Sequence, residues 1–151
     1  MILSRTTQYA IQALVYLAMQ PADKYFLSRR IAVALGVPHA YLSKILQQLC
    51  RQGLLESSRG RLGGFMLRAG AEQTNLLDIV LFNERARVDR ECLLGLKQCA
   101  DATACPVHNK WKPVKKRMLV YLEHVNVTRL AQAVQAGGYR LCDLPQSLMQ
   151  R

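Results

Sequence analysis

Apolar residues recur at three- and four-residue spacings along much of the chain, which predicts a mainly helical protein. In the first such stretch Tyr9, Ala10, Ala13, Leu14, Leu17 and Ala18 form one stripe behind a cap at Ser4 or Thr6, and the pattern stops at Pro21. A short second helix is predicted over residues 29–35, with Ser28 as its cap and Gly36 as a left-handed stop. Pro38 suits the first turn of a third helix, whose Leu42, Ile45, Leu46 and Leu49 point inward until Gly53 ends it. Two helices joined through Gly36 and Val37 are a helix-turn-helix candidate.

Short strands are predicted at residues 54–58 and 65–67, on either side of Arg59, Gly60, Arg61, Leu62, Gly63 and Gly64. A glycine-rich hairpin with a basic tip, directly after a helix-turn-helix, has the makings of a wing. A further helix over residues 75–83 takes Thr74 as its cap and turns Leu77, Val80 and Leu81 to one side. A charged stretch, residues 84–91, leads into a cysteine segment. From about residue 110 to 126, Trp111, Val114, Met118, Leu122 and Val125 repeat at helical spacing, the longest such pattern present, and this stripe needs a partner surface. Residues 128–136 predict another short helix closed by Gly137 and Gly138, and the tail to Arg151 has no clear pattern. The fold class is mainly α with a small β-hairpin. A winged helix-turn-helix DNA-binding domain is expected over residues 1–83, a cysteine loop over 84–109, a long helix and its short successor over 110–136, and a tail over 137–151.

At 151 residues, half of them hydrophobic, the chain can bury one core with some appended elements. Its 21 Lys and Arg against 10 Asp and Glu, a net charge of +11, exclude an acidic carrier and favour a polyanionic partner, nucleic acid ahead of an anionic membrane. The excess is densest early: residues 1–70 hold Arg5, Lys24, Arg29, Arg30, Lys44, Arg51, Arg59, Arg61 and Arg68 against only Asp23 and Glu56. No run approaches the ~18 consecutive apolar residues of a membrane span. The apolar opening is broken by Arg5, Thr6, Thr7, Gln8 and Gln12 and has no small-residue cleavage site, so it reads as a helix and the protein as cytoplasmic. Five cysteines, three of them crowded together, suit a reducing compartment and metal chemistry better than a disulfide framework.

A helix-turn-helix places its second helix in the major groove, with the residues near its amino end at base edges. Here these are His39, Ala40, Tyr41, Ser43 and Lys44, with Gln47 and Gln48 one turn on, and Ser28 at the preceding helix joins the candidate set. Lys44 can reach guanine O6 or N7 or a phosphate, Gln47 can pair with adenine, and Ser43 can donate or accept. The competing reading is the solvated face of any amphipathic helix. The hairpin tips the balance: Arg59 and Arg61 flank Gly60, whose backbone can approach phosphates, and arginine suits a narrow minor groove. A plain turn would want Gly63 and Gly64 regardless.

Cys92, Cys99 and Cys105 are spaced C-x6-C-x5-C, with Pro106 and then His108 beyond them. Zinc sites usually bring pairs at C-x2-C spacing, absent here. The wider gaps, in a loop containing Gly95, Ala100, Ala102 and Ala104, allow the chain to wrap something larger than one ion, and an iron-sulfur cluster fits because thiolates are its usual ligands and histidine can replace one. Thiol-based redox sensing and plain packing of small apolar side chains stay open beside it. A thiol-imidazole enzyme is disfavoured, because the three histidines, His39, His108 and His124, come with no recognisable orienting acid or substrate motif.

The helix-turn-helix SRRIAVALGVPHAYLSKILQQLCRQGLL, the wing SSRGRLGGFML, and the cysteine trio with His108 and Trp111 resemble the Rrf-two family of bacterial winged-helix transcriptional regulators, among them the iron-sulfur sensors IscR, NsrR and RirA, over about residues 3–134. The resemblance implies a homodimer whose long helix, here residues 110–136 with its successor, crosses to the partner subunit. It implies a regulator, usually a repressor, that binds a near-palindromic double-stranded operator. It makes Cys92, Cys99 and Cys105 cluster ligands, and His108 matches the histidine of the IscR-like subgroup, in which the cluster is [2Fe-2S]. Members with a [4Fe-4S] cluster use an acidic side chain of the first helix, where this chain has Gln8. The first gap here is six residues where IscR-like proteins have five, and Ser43 stands where many relatives are acidic. Cys50 and Cys142 match no ligand position, and Cys50 is expected in the core. A cluster-free regulator using the same thiols as a redox switch is the alternative.

Overall fold

The structure is a computed structural model that describes residues 3–84 and 92–143. Most of the charged stretch after Glu84 and the end of the tail therefore lie outside the described residues. Six helices and one hairpin follow in order: α1 (Arg5–Ala18), α2 (Ser28–Leu35), α3 (His39–Arg51), β1 (Leu55–Ser58), β2 (Gly64–Leu67), α4 (Leu76–Asn83), α5 (His108–His124) and α6 (Val127–Gln135).

Ser4 caps α1, its side chain accepting from the Thr7 amide. The single stripe expected of this helix is too narrow. Thr7, Val15 and Tyr16 are buried as well as Ala10, Ala13, Leu14 and Leu17, because α2, α3, α4 and α6 all pack on α1. A helix surrounded on most sides needs apolar residues on most sides.

Helices α2 and α3 meet through Gly36, whose φ of +65° is the left-handed stop its position demands. Ser28 is not the cap of α2. Leu27 takes that place without a side-chain bond, the helix starts one residue earlier than expected, and the Ser28 hydroxyl turns to His39 instead. Leu42, Ile45, Leu46 and Leu49 of α3 are buried, as the periodicity requires.

The hairpin pairs Leu55 with Leu67 through to Ser58 with Gly64, antiparallel. Phe26 adds a bridge to Phe65 through two backbone hydrogen bonds of 2.8 and 2.9 Å, so the segment before α2 anchors β2 on the side away from β1. Close approach explains Gly64: a Cβ there would lie 2.4 Å from the Phe26 carbonyl oxygen.

Asn75, not Thr74, caps α4, its Oδ1 accepting from the Asp78 amide at 2.8 Å. The Thr74 carbonyl instead accepts from the Val127 amide, part of a bridge that also joins Leu76 to Val125 and fixes the start of α6 beside the start of α4. Val127, Ala131 and Val134 of α6 thereby enter the same core as α1. The stripe of α5 divides along its length. Leu122 is buried and Met118 and Val125 pack on the core, whereas Trp111 is half-buried and Val114 remains 53% exposed. Beyond α6, Leu141 and Cys142 fold back on the core, and the Cys142 thiol points to the Ala34 carbonyl at 3.5 Å.

Replacing Gly64 by Ala combines a strained φ of +142° with collision against backbone, whereas Gly60, at φ +101°, has open space around it. Gly60→Ala is expected to cost about 1–3 kcal/mol from conformation alone, and Gly64→Ala clearly more; urea unfolding of both variants measures the difference.

Candidate DNA interface and cysteine site

His39, Ala40, Tyr41, Lys44 and Gln47 are exposed along the amino-terminal part of α3, with Ser43 half-buried among them. His39 Nε2 lies 2.8 Å from the Ser28 hydroxyl and 3.3 Å from that of Ser43, so one imidazole ties the starts of α2 and α3 together. Neither helix has a side-chain cap, which leaves first-turn amides for a phosphate. Arg59, Gly60 and Arg61 are all exposed at the hairpin tip. Two of the polar side chains on α3 are tied to neighbouring helices: Gln48 donates to Asn83 of α4 at 3.1 Å, and the Tyr41 hydroxyl meets that of Thr6 at 2.8 Å while its ring packs edge-on against Tyr9. Tyr41 therefore links α3 to the start of α1.

The same start of α1 holds Glu84. One carboxylate oxygen accepts from the Ser4 amide at 2.8 Å and the Thr7 hydroxyl at 2.6 Å. Burial pushes this carboxyl up, but the bonds from Thr7 and Ser4 outweigh it and hold it below the usual glutamate range. Sequence periodicity gave no sign of this contact, which joins residues 80 apart.

In the cysteine segment the four expected ligands form two pairs. Cys92 Sγ lies 3.7 Å from Cys105 Sγ, and Cys99 Sγ lies 3.5 Å from His108 Nδ1. Two ligands of one tetrahedral ion, bound at about 2.3 Å through sulfur and about 2.0 Å through nitrogen, lie about 3.5–3.8 Å apart. Each pair thus has the span of one tetrahedral edge. Among the described residues no three His, Cys, Asp or Glu side chains gather as a one-ion site, so two edges rather than one cage are on offer. The Leu94 amide does most to hold the Cys92 thiol below its ordinary range; burial opposes it, and the Leu96 amide, the Cys105 thiol and the Lys115 charge reinforce it. Lys115 itself is buried, one of three α5 residues, with His108 and Leu122, that turn inward at seven-residue intervals.

Asp101 was not among the residues singled out from sequence. It sits in a short 3-10 turn, Asp101–Thr103, between two of the cysteines, and its carboxylate meets His108 Nε2 at 2.8 Å and Lys112 Nζ at 2.7 and 2.8 Å. Lys112 first, and then His108, hold the Asp101 carboxyl below its usual range. An orienting acid for His108 is thus present after all. The other cysteines stand apart: burial pushes the Cys50 thiol up, and it packs half-buried against the core as expected.

A profile of the Rrf2 family, described as an iron-dependent transcriptional regulator, matches residues 3–133. The chain belongs to this family. An HTH-type transcriptional regulator of Aquifex aeolicus (strain VF5) is 30% identical over 133 residues, covering 86% of this chain and 91% of that one. Among solved structures, CymR, the global cysteine regulator of B. subtilis, superposes with a TM-score of 0.70 at 20% identity, covering 87% of this chain and 96% of its own. T. potens IscR superposes with a TM-score of 0.67 at 22% identity, covering 91% and 92%. These two show the fold. The protein is a DNA-binding transcriptional regulator, not an enzyme, and no helix among the described residues is long and apolar enough to cross a membrane.

Glu84→Gln should lower stability at neutral pH by about 1 kcal/mol through the lost charged hydrogen bonds. A carboxyl lowered in the folded state stabilises above its unfolded pKa, about 4.3, and that contribution fades as the pH falls through the folded value. Denaturation curves of the two proteins should therefore converge in acid and differ at neutrality.

Proposed function

We propose that the protein is an iron-sulfur-dependent regulator that reads DNA as a dimer. The observation that carries this reading is the pair of tetrahedral edges, Cys92 with Cys105 and Cys99 with His108, at 3.7 and 3.5 Å. Three thiols, one imidazole and two edges match a [2Fe-2S] cluster with one histidine ligand better than zinc, and Gln8 offers a poorer ligand than the acid that a [4Fe-4S] reading would want. The bound cluster would supply a one-electron centre that also reports iron and sulfide supply.

The chain's own residues supply the rest. Helix α3 enters the major groove with Lys44 and Gln47 foremost, His39 and Ser28 lie at the phosphates, and Arg59 and Arg61 enter the neighbouring minor groove. On α5, Val114 and Tyr121, seven residues apart and so on one line of the helix, are 53% and 61% exposed, apolar surface suited to a second copy of the same helix. Two copies of α3 then address a near-palindromic site. Glu84 connects the two functions: it holds the start of α1, to which Tyr41 of α3 is bonded, and it directly precedes the stretch that runs to Cys92. Ordering of residues 92–108 by ligation acts on the pose of α3 through this connection.

A second reading is favoured by one contact. Cys92, its thiol held below the ordinary range, faces Cys105 closely enough that hydrogen peroxide could oxidise the pair, taking two electrons and two protons and leaving a disulfide and two waters.

Selection of bound sequences from random DNA by anaerobically purified protein tests the proposal. It should recover near-palindromes, and Cys99→Ala should change affinity for them by about 5- to 150-fold. Arg61→Ala should weaken binding and reduce the salt slope by about 1. Identical binding by wild type and Cys99→Ala, with iron present or absent, would refute control through the cluster.

A further inference from the structure

We propose that Asp101 positions His108 as a ligand, fixing which ring nitrogen faces Cys99. The inference rests on the cluster reading above and adds a residue that the cysteine spacing does not mark. A carboxylate can only accept, so the 2.8 Å contact from His108 Nε2 requires the proton on Nε2. A neutral imidazole has one N–H. Nδ1 is then left with its lone pair, and Nδ1 is the atom 3.5 Å from the Cys99 sulfur. Metal-bound histidines characteristically donate their second N–H to a carboxylate, which sets the tautomer and strengthens the ligand.

The carboxylate is itself held. His108 and Lys112 stand four residues apart on α5 and so share a face, and Lys112 grips both Asp101 oxygens. The geometry is lopsided: the His108 side chain is 3% exposed and that of Asp101 is 74% exposed. A surface ion pair alone contributes little and needs no buried imidazole. Convergence of a solvent-facing acid on a buried ring, in a turn between Cys99 and Cys105, is what an orienting role requires.

The test uses the full chain in two states. In reduced, metal-free, 15N-labelled protein, at a pH where the ring is neutral, the His108 nitrogens should show Nε2 protonated and Nδ1 bare. Asp101→Ala should give a mixture of tautomers. In anaerobically purified protein, loss of iron to a chelator should be about 10- to 100-fold faster in Asp101→Ala, with Asp101→Glu restoring part of the lifetime, and the imidazole-nitrogen coupling in the reduced wild-type cluster should weaken in the Ala variant. Unchanged tautomer and unchanged chelation rate in Asp101→Ala, with wild type holding iron, would overturn the role of Asp101 and leave the cluster reading intact. Iron-free wild type whose His108 still shows the Nε2–H tautomer would overturn the cluster reading, and with it any ligand for Asp101 to position, while preserving the hydrogen bond.

Discussion

Helix α1 is packed by α2, α3, α4 and α6 at once, and its first turn is gripped from two directions. Glu84 accepts from Ser4 and Thr7 there, and the Tyr41 hydroxyl of α3 bonds to Thr6 beside them. A helix enclosed on so many sides cannot tilt without disturbing the core. Its amino terminus thus ties Glu84, at the end of α4, to Tyr41 of α3 through one helical turn, and the proposed coupling of ligation to DNA reading relies on that tie. The remaining features, the wing, the turn at Gly36 and the return of α6, place surfaces around that strut.

The two working surfaces are built by different physics. The candidate DNA face is made by exposure: uncapped helix starts, Lys44 and Gln47 in solvent, and arginines on a hairpin whose strand is pinned by Phe26, against which only Gly64 fits. The cysteine site is made by convergence. Backbone amides of Leu94 and Leu96 and the charge of Lys115 favour thiolate at Cys92, while Asp101 and Lys112 organise the ring of His108. The first device favours negative sulfur at Cys92, and the second turns a ring nitrogen toward Cys99. Leu93, Leu94 and Leu96 are exposed there, while Cys92 and His108 are buried, so the segment turns its ligand-type side chains inward and its leucines outward.

Much of this is legible in the sequence. Gly36 and Pro38 mark their turn because only special backbone geometry fits there, and the apolar spacing of α3 reports a helix with one buried side. Spacing picked out the three cysteines and His108 as a group, and the fold brings them into two close pairs, Cys92 with Cys105 and Cys99 with His108. What escaped is what depends on neighbours distant in sequence. The burial of Val15 and Tyr16 follows from four packing partners that local periodicity does not contain. Thr74 and Asn75 are equally good caps on paper, and the choice is made by a bridge to α6. Phe26 is a one-residue pairing with no strand pattern to reveal it. Asp101 looked like any loop acid because its meaning lies in a ring seven residues away across a turn.

Native mass spectrometry of protein isolated without air weighs metal, sulfide and subunits in one species, and so tests whether the cysteine segment holds a cluster. A dimer carrying two irons and two sulfides per chain is expected, with the loss of all four atoms when Cys92 is replaced by Ala. An iron-free dimer with all three cysteines reduced, or a single zinc per chain, would contradict that expectation.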